Sequence, residues 1–444
     1  MDVRSRIADL REKQNQAYQA YRDRSRLVRV FRHRDFRLLW TGALVSFIGS
    51  WVQRLAEGWL VYQITGKASL LGLVVFCASV PTSILGPIAG TLADTFNRRT
   101  LLVVTQAIFA AGAFYLAAAT HYHFVTYEQI IVVALILGIV STVEQPARQS
   151  TVSACVPAED LPLAIPINAM TFNLSRLIGP AIGGLLLVAV GPAACYFVNG
   201  VSFFALIFSA LAIRSDLSPR QREAQPIKDL LVEGALYTYR DRRLRTLFIL
   251  ESIVAIFGLT YITQMPTIVD RMLHRAGDPR LGTHDKFILS TGYIVIGVGA
   301  IIALSIIMQF AERRVRGLMI RIAMTCLAVA LIVLGFVRSE YAAYPIFGAL
   351  GMCAITHFNI TNTLFQTIAP PRLRGRVLAM HIWALNGLGP FGVLMFGYIA
   401  DAFGMPLALQ GGGAVVLLGA LWSWVNGKSL QGVDDADVVY GVPD

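Results

Sequence analysis

Five ionisable side chains, Arg54, Glu57, Glu144, Arg176 and Glu251, stand inside long apolar stretches of this 444-residue chain. A charged residue at the centre of a membrane helix costs about 2.5–3.5 kcal/mol on insertion scales, so each points by default to an ion or proton pathway or a polar ligand. Spacing sorts them. Arg54 and Glu57 are i, i+3, and Glu144 and Arg148 are i, i+4, so each pair can share a helix face. A buried carboxylate beside a guanidinium can be poised to bind and release a proton. Glu57, tuned by Arg54, is therefore the expected carrier of a coupling proton. Arg176 lies near mid-span, and Glu144, about 9 Å further toward one mouth, is the reserve and a gate residue. The competing reading of Arg54 and Glu57 is a permanent salt bridge that only fixes its helix. Glu251 is expected to snorkel to the surface.

The elements that must position these groups follow from composition. The chain is 55% hydrophobic and 15% charged, with mean hydropathy +0.60, whereas soluble domains carry about a quarter charged residues. Disordered, collagenous and disulfide-scaffold classes are excluded, and a polytopic membrane protein remains. Twelve apolar stretches fall at roughly 38–64, 68–93, 100–119, 127–150, 161–190, 191–213, 246–268, 287–311, 318–337, 341–369, 376–400 and 405–427. Each can span about 30 Å of hydrocarbon as a helix. With these spans, one side of the membrane holds 30 Lys/Arg and the other 6. Both termini are therefore expected in the cytoplasm, with the chain in the inner membrane. Topology also accounts for the net charge of +11, leaving no case for nucleic acid. Residues 1–34 hold ten Lys/Arg and no apolar core, which reads against a cleavable signal. The five cysteines lack CxxC spacing; they are expected to be buried thiols, with no metal site.

The chain also repeats itself. Phe31-Arg32-His33-Arg34-Asp35-Phe36-Arg37-Leu38-Leu39-Trp40 and Tyr239-Arg240-Asp241-Arg242-Arg243-Leu244-Arg245-Thr246-Leu247-Phe248 align at an offset of 208. Gly179-Pro180 and Gly389-Pro390 align at 210. The expected fold is all-α, with twelve transmembrane helices in two parallel six-helix repeats. It comprises a basic tail (1–37), a first bundle (38–213), a central loop (214–245), a second bundle (246–427) and a C-terminal tail (428–444). Parallel repeats of this kind build alternating-access transporters with substrate near the midplane. No HExxH, GxSxG or Walker loop is present, which argues against an enzyme.

Gly90-Thr91-Leu92-Ala93-Asp94-Thr95-Phe96-Asn97-Arg98-Arg99 resembles the loop motif of the major facilitator superfamily, with Thr95 and Asn97 departing from its usual basic residue and glycine. Further stretches resemble its enterobactin-exporter or transmembrane secretion effector branch: Gln53-Arg54, Glu144-Gln145-Pro146-Ala147-Arg148-Gln149, Asn173, Arg176, Gly179-Pro180 with Gly183-Gly184, Phe197-Val198-Asn199 and Arg374-Gly375-Arg376. The resemblance covers about residues 31–427. It implies gating by Gly90, Asp94, Arg98 and Arg99 against Arg374 and Arg376 at the start of span eleven. It further implies antiporter-like packing by Gly179, Pro180, Gly183 and Gly184. In that fold Trp51, Gln53, Trp59, Tyr261, Gln264, His357, Asn359 and Asn362 are the candidate cavity lining.

The expected function is export of a small amphipathic compound, such as a siderophore, drug or metabolite, by proton antiport. The expected partners are substrate, protons and the lipid bilayer. No cofactor beyond the proton gradient is expected, and one chain suffices. The rival readings are an uncoupled facilitator or lipid flippase, and a non-transporting scaffold or sensor, which would have no reason to keep charges in its spans.

Overall fold

The computed structural model describes residues 29–218, 227–274, 281–309, 315–370 and 372–426, the side chains of 86–94, 173, 177 and 227–231 excepted. Every regular element among them is a helix. The first half of the chain forms α1 (Arg34–Thr65), α2 (Ala68–Thr95), α3 (Arg98–His121), α4 (Tyr127–Val152), α5 (Leu161–Ala189) and α6 (Pro192–Ala212). The central stretch, expected as a loop, contains α7 (Ile227–Arg240). The second half follows with α8 (Arg242–Ile253), which runs through π-helical turns at Val254–Gly258 and Val269–Leu273, and α9 (Thr283–Gln309). It continues with α10 (Arg316–Leu334), α11 (Glu340–Ile368), α12 (Arg374–Trp383), α13 (Gly389–Phe403) and α14 (Met405–Val425). A π-helical turn, Ala384–Leu388, joins α12 to α13.

Among the described residues, eleven helical stretches are long and apolar enough to cross a membrane. The helix at the start, α1, has the length at 32 residues, but Gln53, Arg54 and Glu57 dilute its apolar run. Large side chains such as Leu185, Phe208 and Met308 are exposed, the surface a bilayer covers. The largest buried cluster runs across both halves, from Val52, Leu55 and Trp59 to Tyr261, Met265 and Ile288. Two seams join the halves: α2 packs on α13 and α5 on α9. Cysteine burial is less uniform than expected. Cys155, Cys195 and Cys353 are buried, but Cys326 is exposed, because it lies on an outward face of α10.

Local chemistry sets the helix starts. Asn97 accepts from the backbone N–H groups of Arg99 and Thr100 to cap α3, and Thr126 with Gln129 forms a capping box on α4. Asp241 accepts from the N–H groups of Arg243 (2.8 Å) and Leu244 (3.2 Å) and starts α8 four residues earlier than the apolar pattern suggests. Partial burial pushes the Asp241 carboxyl up, but these bonds and the Arg243 guanidinium outweigh that and hold it below its ordinary value. A depressed carboxylate stabilises the fold above its unfolded pKa and loses that contribution as pH falls through the folded one. The cap therefore stands at neutral pH and fails in acid. The repeated motif keeps one bond in both copies: Arg37 Nη1 donates to Phe31 O and Arg245 Nη1 to Tyr239 O, each at 3.3 Å.

The start of α1 is tied to the α4–α5 connection. Arg29 Nη2 (2.5 Å) and His33 Nε2 (2.7 Å) both meet the Asp160 carboxylate. Asp160→Asn removes the charge both bind, so limited trypsin digestion is expected to cut at Arg29 several-fold faster than in the native chain. An unchanged rate would show that Val30 and Phe36, buried beside the clamp, hold the segment alone.

Candidate functional site

The central polar group is built on α1 and α5. Arg54 and Arg176 both lie over the Trp51 ring, at 4.8 and 5.9 Å from its centroid. Trp51 itself packs edge-on against Phe172. Both guanidiniums and Glu57 are ringed by protein, yet Arg54 remains exposed and Glu57, Arg176 and Trp51 are only half-buried. These groups therefore line an accessible interior. Gly58, next to Glu57 on α1, faces Pro266 of α8's continuation, where a Cβ would sit 3.6 Å from the proline ring, so the interior lies between the halves.

Glu57 does not close an ion pair with Arg54 among the described residues. Its carboxylate instead accepts from Gln53 Nε2 at 3.4 Å. Gln53 Oε1 in turn accepts from Asn199 at 2.6 Å, and Asn199 Oδ1 from Ser202 at 3.0 Å. The i, i+4 relation to Gln53 wins over the i, i+3 relation to Arg54 because Arg54 is drawn to the indole face. Glu144 does form the expected pair: Arg148 Nε donates at 3.0 Å, Gln106 at 3.4 Å, and all three are buried. Arg148 also covers the Phe47 ring at 4.4 Å.

The remaining cavity candidates separate. Trp59, Tyr261 and Gln264 are fully buried; Gln264 Nε2 donates across the halves to Ala68 O at 3.0 Å. Asn359 and Asn362 are half-buried and bonded along α11, to Ile355 O and to Gln366. His357 is buried and faces Glu251. Glu251 itself is 0% exposed, so the expectation that it snorkels is corrected. The reason is geometric: α8 begins at Arg242, which places Glu251 about 14 Å from the helix start, beyond the reach of its short side chain.

On the face carrying the chain ends, Arg98 is buried and its backbone N–H donates to Leu217 O. Arg99 donates to Ile213 O at 2.6 Å. Arg376 is engaged by Glu233 of α7, which also holds Arg372 at 2.9 Å, while Arg374 is exposed. Gly90, Asp94 and Asn173 lie on helices, and their side-chain surroundings fall outside what the structure describes.

The opposite face carries a lock that charge counting over loops did not disclose. Arg271 donates to Asp401 (2.6 Å), Tyr62 Oη (3.1 Å), Ala400 O (2.9 Å) and Gly66 O (3.1 Å). Tyr62 Oη donates to Asp270 at 2.8 Å. Asp401, at the end of α13, accepts from the N–H groups of Ala68 (3.0 Å) and Ser69 (2.8 Å) and from Ser69 Oγ (2.5 Å). A residue of the second half thus caps α2 of the first, satisfying donors a helix start otherwise leaves open. The only trace in sequence is a single acid ending an apolar stretch.

The glycine motif of α5 serves two neighbours. Gly179 abuts Trp51 Cβ and Gly183 lies against Val52 of α1, while a Cβ at Gly184 would sit 2.5 Å from Ser290 Cβ on α9. Pro180 lacks an N–H and leaves the Arg176 carbonyl without its helical donor. Gly184→Ala is expected to cost about 1–3 kcal/mol by overpacking this seam, read as a lower melting temperature, and Ser290→Gly should restore it. A variant as stable as the native chain would show that α5 and α9 separate freely.

An all-helical, multi-pass bundle with interior charges between two halves defines a membrane transporter. The chain belongs to the transmembrane secretion effector family of the major facilitator superfamily, whose profile matches residues 28–438. It is similar to the staphyloferrin A transporter of Staphylococcus aureus, with 24% identity over 83% of this chain and 90% of that protein. Multidrug efflux pump Tap of Mycolicibacterium fortuitum is 25% identical over the same shares, and macrolide efflux protein A of Streptococcus pyogenes 22%. Among solved structures, an inward-facing, occupied bacterial homologue of the lysosomal transporter Spinster superposes with TM-score 0.67 at 13% identity, covering 90% of this chain and 97% of that one. Nucleoside transporter NupG superposes with 0.64 at 16% identity, covering 92% and 100%. The family is one of transporters, not enzymes.

Proposed function

We propose that the protein exports a small amphipathic organic compound from the cytoplasm by proton antiport, in an alternating-access cycle of two parallel six-helix halves. Both termini lie in the cytoplasm, the chain sits in the inner membrane, and a single chain is the working unit. The observation that carries this reading is the accessible interior between the halves, where Arg54 and Arg176 flank Trp51 and Glu57 waits on the Gln53 relay. Trp51 and Phe172 offer apolar area, the guanidiniums offer charge, and Glu57 offers a group that a proton and a substrate can contest. The lock at Arg271 and Asp401 closes the outer face, as the inward-facing stage of such a cycle requires.

The test uses a host deprived of its own exporters. Expression is expected to lower accumulation of a macrolide, or to raise siderophore secretion, several-fold, and a protonophore should abolish the difference. Equal accumulation and secretion with and without the protein would overturn export. A difference that survives the protonophore would favour an uncoupled carrier.

A further inference from the structure

Glu251, His357 and His381 meet inside the second half of the chain, on α8, α11 and α12. His357 Nε2 lies 3.3 Å and His381 Nδ1 3.8 Å from the two Glu251 oxygens. The three residues are 0%, 1% and 0% exposed. None of their six polar atoms makes a hydrogen bond of good geometry, although a buried polar group left so is costly. Among the described residues no ion pair links them to a further charged side chain; on α10, which packs against the Val254–Gly258 turn, the buried Arg321 lies over the Trp424 ring at 5.5 Å. The His381 ring packs against Phe358 and Phe365. On the neighbouring elements, Arg243 is held by Asp241, Arg245 bonds Tyr239 O, and Arg376 is held by Glu233. Cys353 stands one turn from His357 on α11, Glu340 at the far end of that helix pairs with His284, and α14 carries no titratable residue.

We infer that Glu251, His357 and His381 form a proton-binding site separate from Glu57. The reasoning is charge balance. With Glu251 ionised and both imidazoles neutral, the cluster buries an uncompensated negative charge; one proton added to an imidazole turns it into an ion pair that is neutral as a whole. In a dry interior the neutral form is strongly preferred, so the cluster takes one proton from whichever side reaches it. Among the described residues no three such side chains converge where a metal ion could sit. Glu251 lies about 14 Å along its helix from Arg242, within a stretch long enough to cross a membrane core of about 30 Å. It also borders the two π-helical turns Val254–Gly258 and Ala384–Leu388, which begin three residues after Glu251 and His381. Such turns mark places where a helix can shift register. Binding and loss of the proton thereby bear on the packing of α8 and its continuation against α12 and α13. The inference adds a second protonation event to the antiport reading and rests on it only for its use in transport, not for its existence.

The full-length protein, labelled with 15N-histidine and held in lipid nanodiscs, tests it. His357 and His381, assigned by single substitutions, are expected to change protonation between about pH 5 and about pH 8, the range in which histidine serves as a switch. In Glu251→Gln both are expected to stay neutral throughout, since nothing then balances an imidazolium. His381→Asn, which keeps the carboxylate, should alter the His357 titration and guards against a Glu251 variant that fails to fold. Imidazoles that hold one protonation state in the native protein, or titrations that neither substitution changes, would overturn the site. Vesicles distinguish this from the antiport reading. A native protein whose cluster titrates but whose macrolide movement ignores an imposed pH gradient keeps the site and loses antiport. One that couples a macrolide to the gradient while the cluster stays inert keeps antiport and loses the site.

Discussion

Arg271→Ala is expected to move the protein toward the conformer open on the face away from its chain ends. Arg271 makes four bonds that cross or brace the seam, one of them to the Asp401 carboxylate that caps α2. Charge-assisted bonds of this kind contribute about 2 kcal/mol net, a roughly thirtyfold change in the conformational equilibrium. Spin labels at cysteines replacing the exposed Tyr122 and Tyr341, in a chain stripped of its native thiols, read the distance across that face. A longer distance should dominate in the variant. Asp401→Asn should act in the same direction, because it weakens both the Arg271 contact and the cap. An unchanged distance distribution in both would show that the apolar seam between α2 and α13 closes the face without the lock.

Glu57→Gln should abolish concentration of substrate against its gradient when only a pH gradient is applied, while exchange of substrate across proteoliposome membranes persists. The amide keeps the size of the side chain and its reach to Gln53, so α1 packs as before, but it cannot take up a proton. The absence of an Arg54–Glu57 pair strengthens the expectation, since a carboxylate bound to a neighbouring amide is freer to titrate than one fixed to a guanidinium. A variant that still accumulates substrate under a pH gradient would remove Glu57 from coupling and leave Glu144 and the Glu251 cluster as the candidates.

The sequence by itself determined the class of the protein, its helices and the cost of its interior charges. Apolar runs longer than a bilayer is thick permit only helices, because every backbone N–H and C=O must be satisfied within the segment. Pair spacing on one helix was also legible, as the Glu144–Arg148 contact shows; so was the close packing around Gly179 and Gly183, since absent side chains mark close approach. What lay beyond reach was everything set by contacts between helices far apart in the chain. Glu57 faces Gln53 rather than Arg54 because Trp51 draws the guanidinium away. Asp401 caps a helix more than 300 residues earlier. Glu251 meets His357 and His381 only because α8, α11 and α12 pack together. A helix's period states which residues share its face, but not which face of another helix that set will meet. That choice is made by the packing of whole helices, and in this protein it decides which charges are buried together.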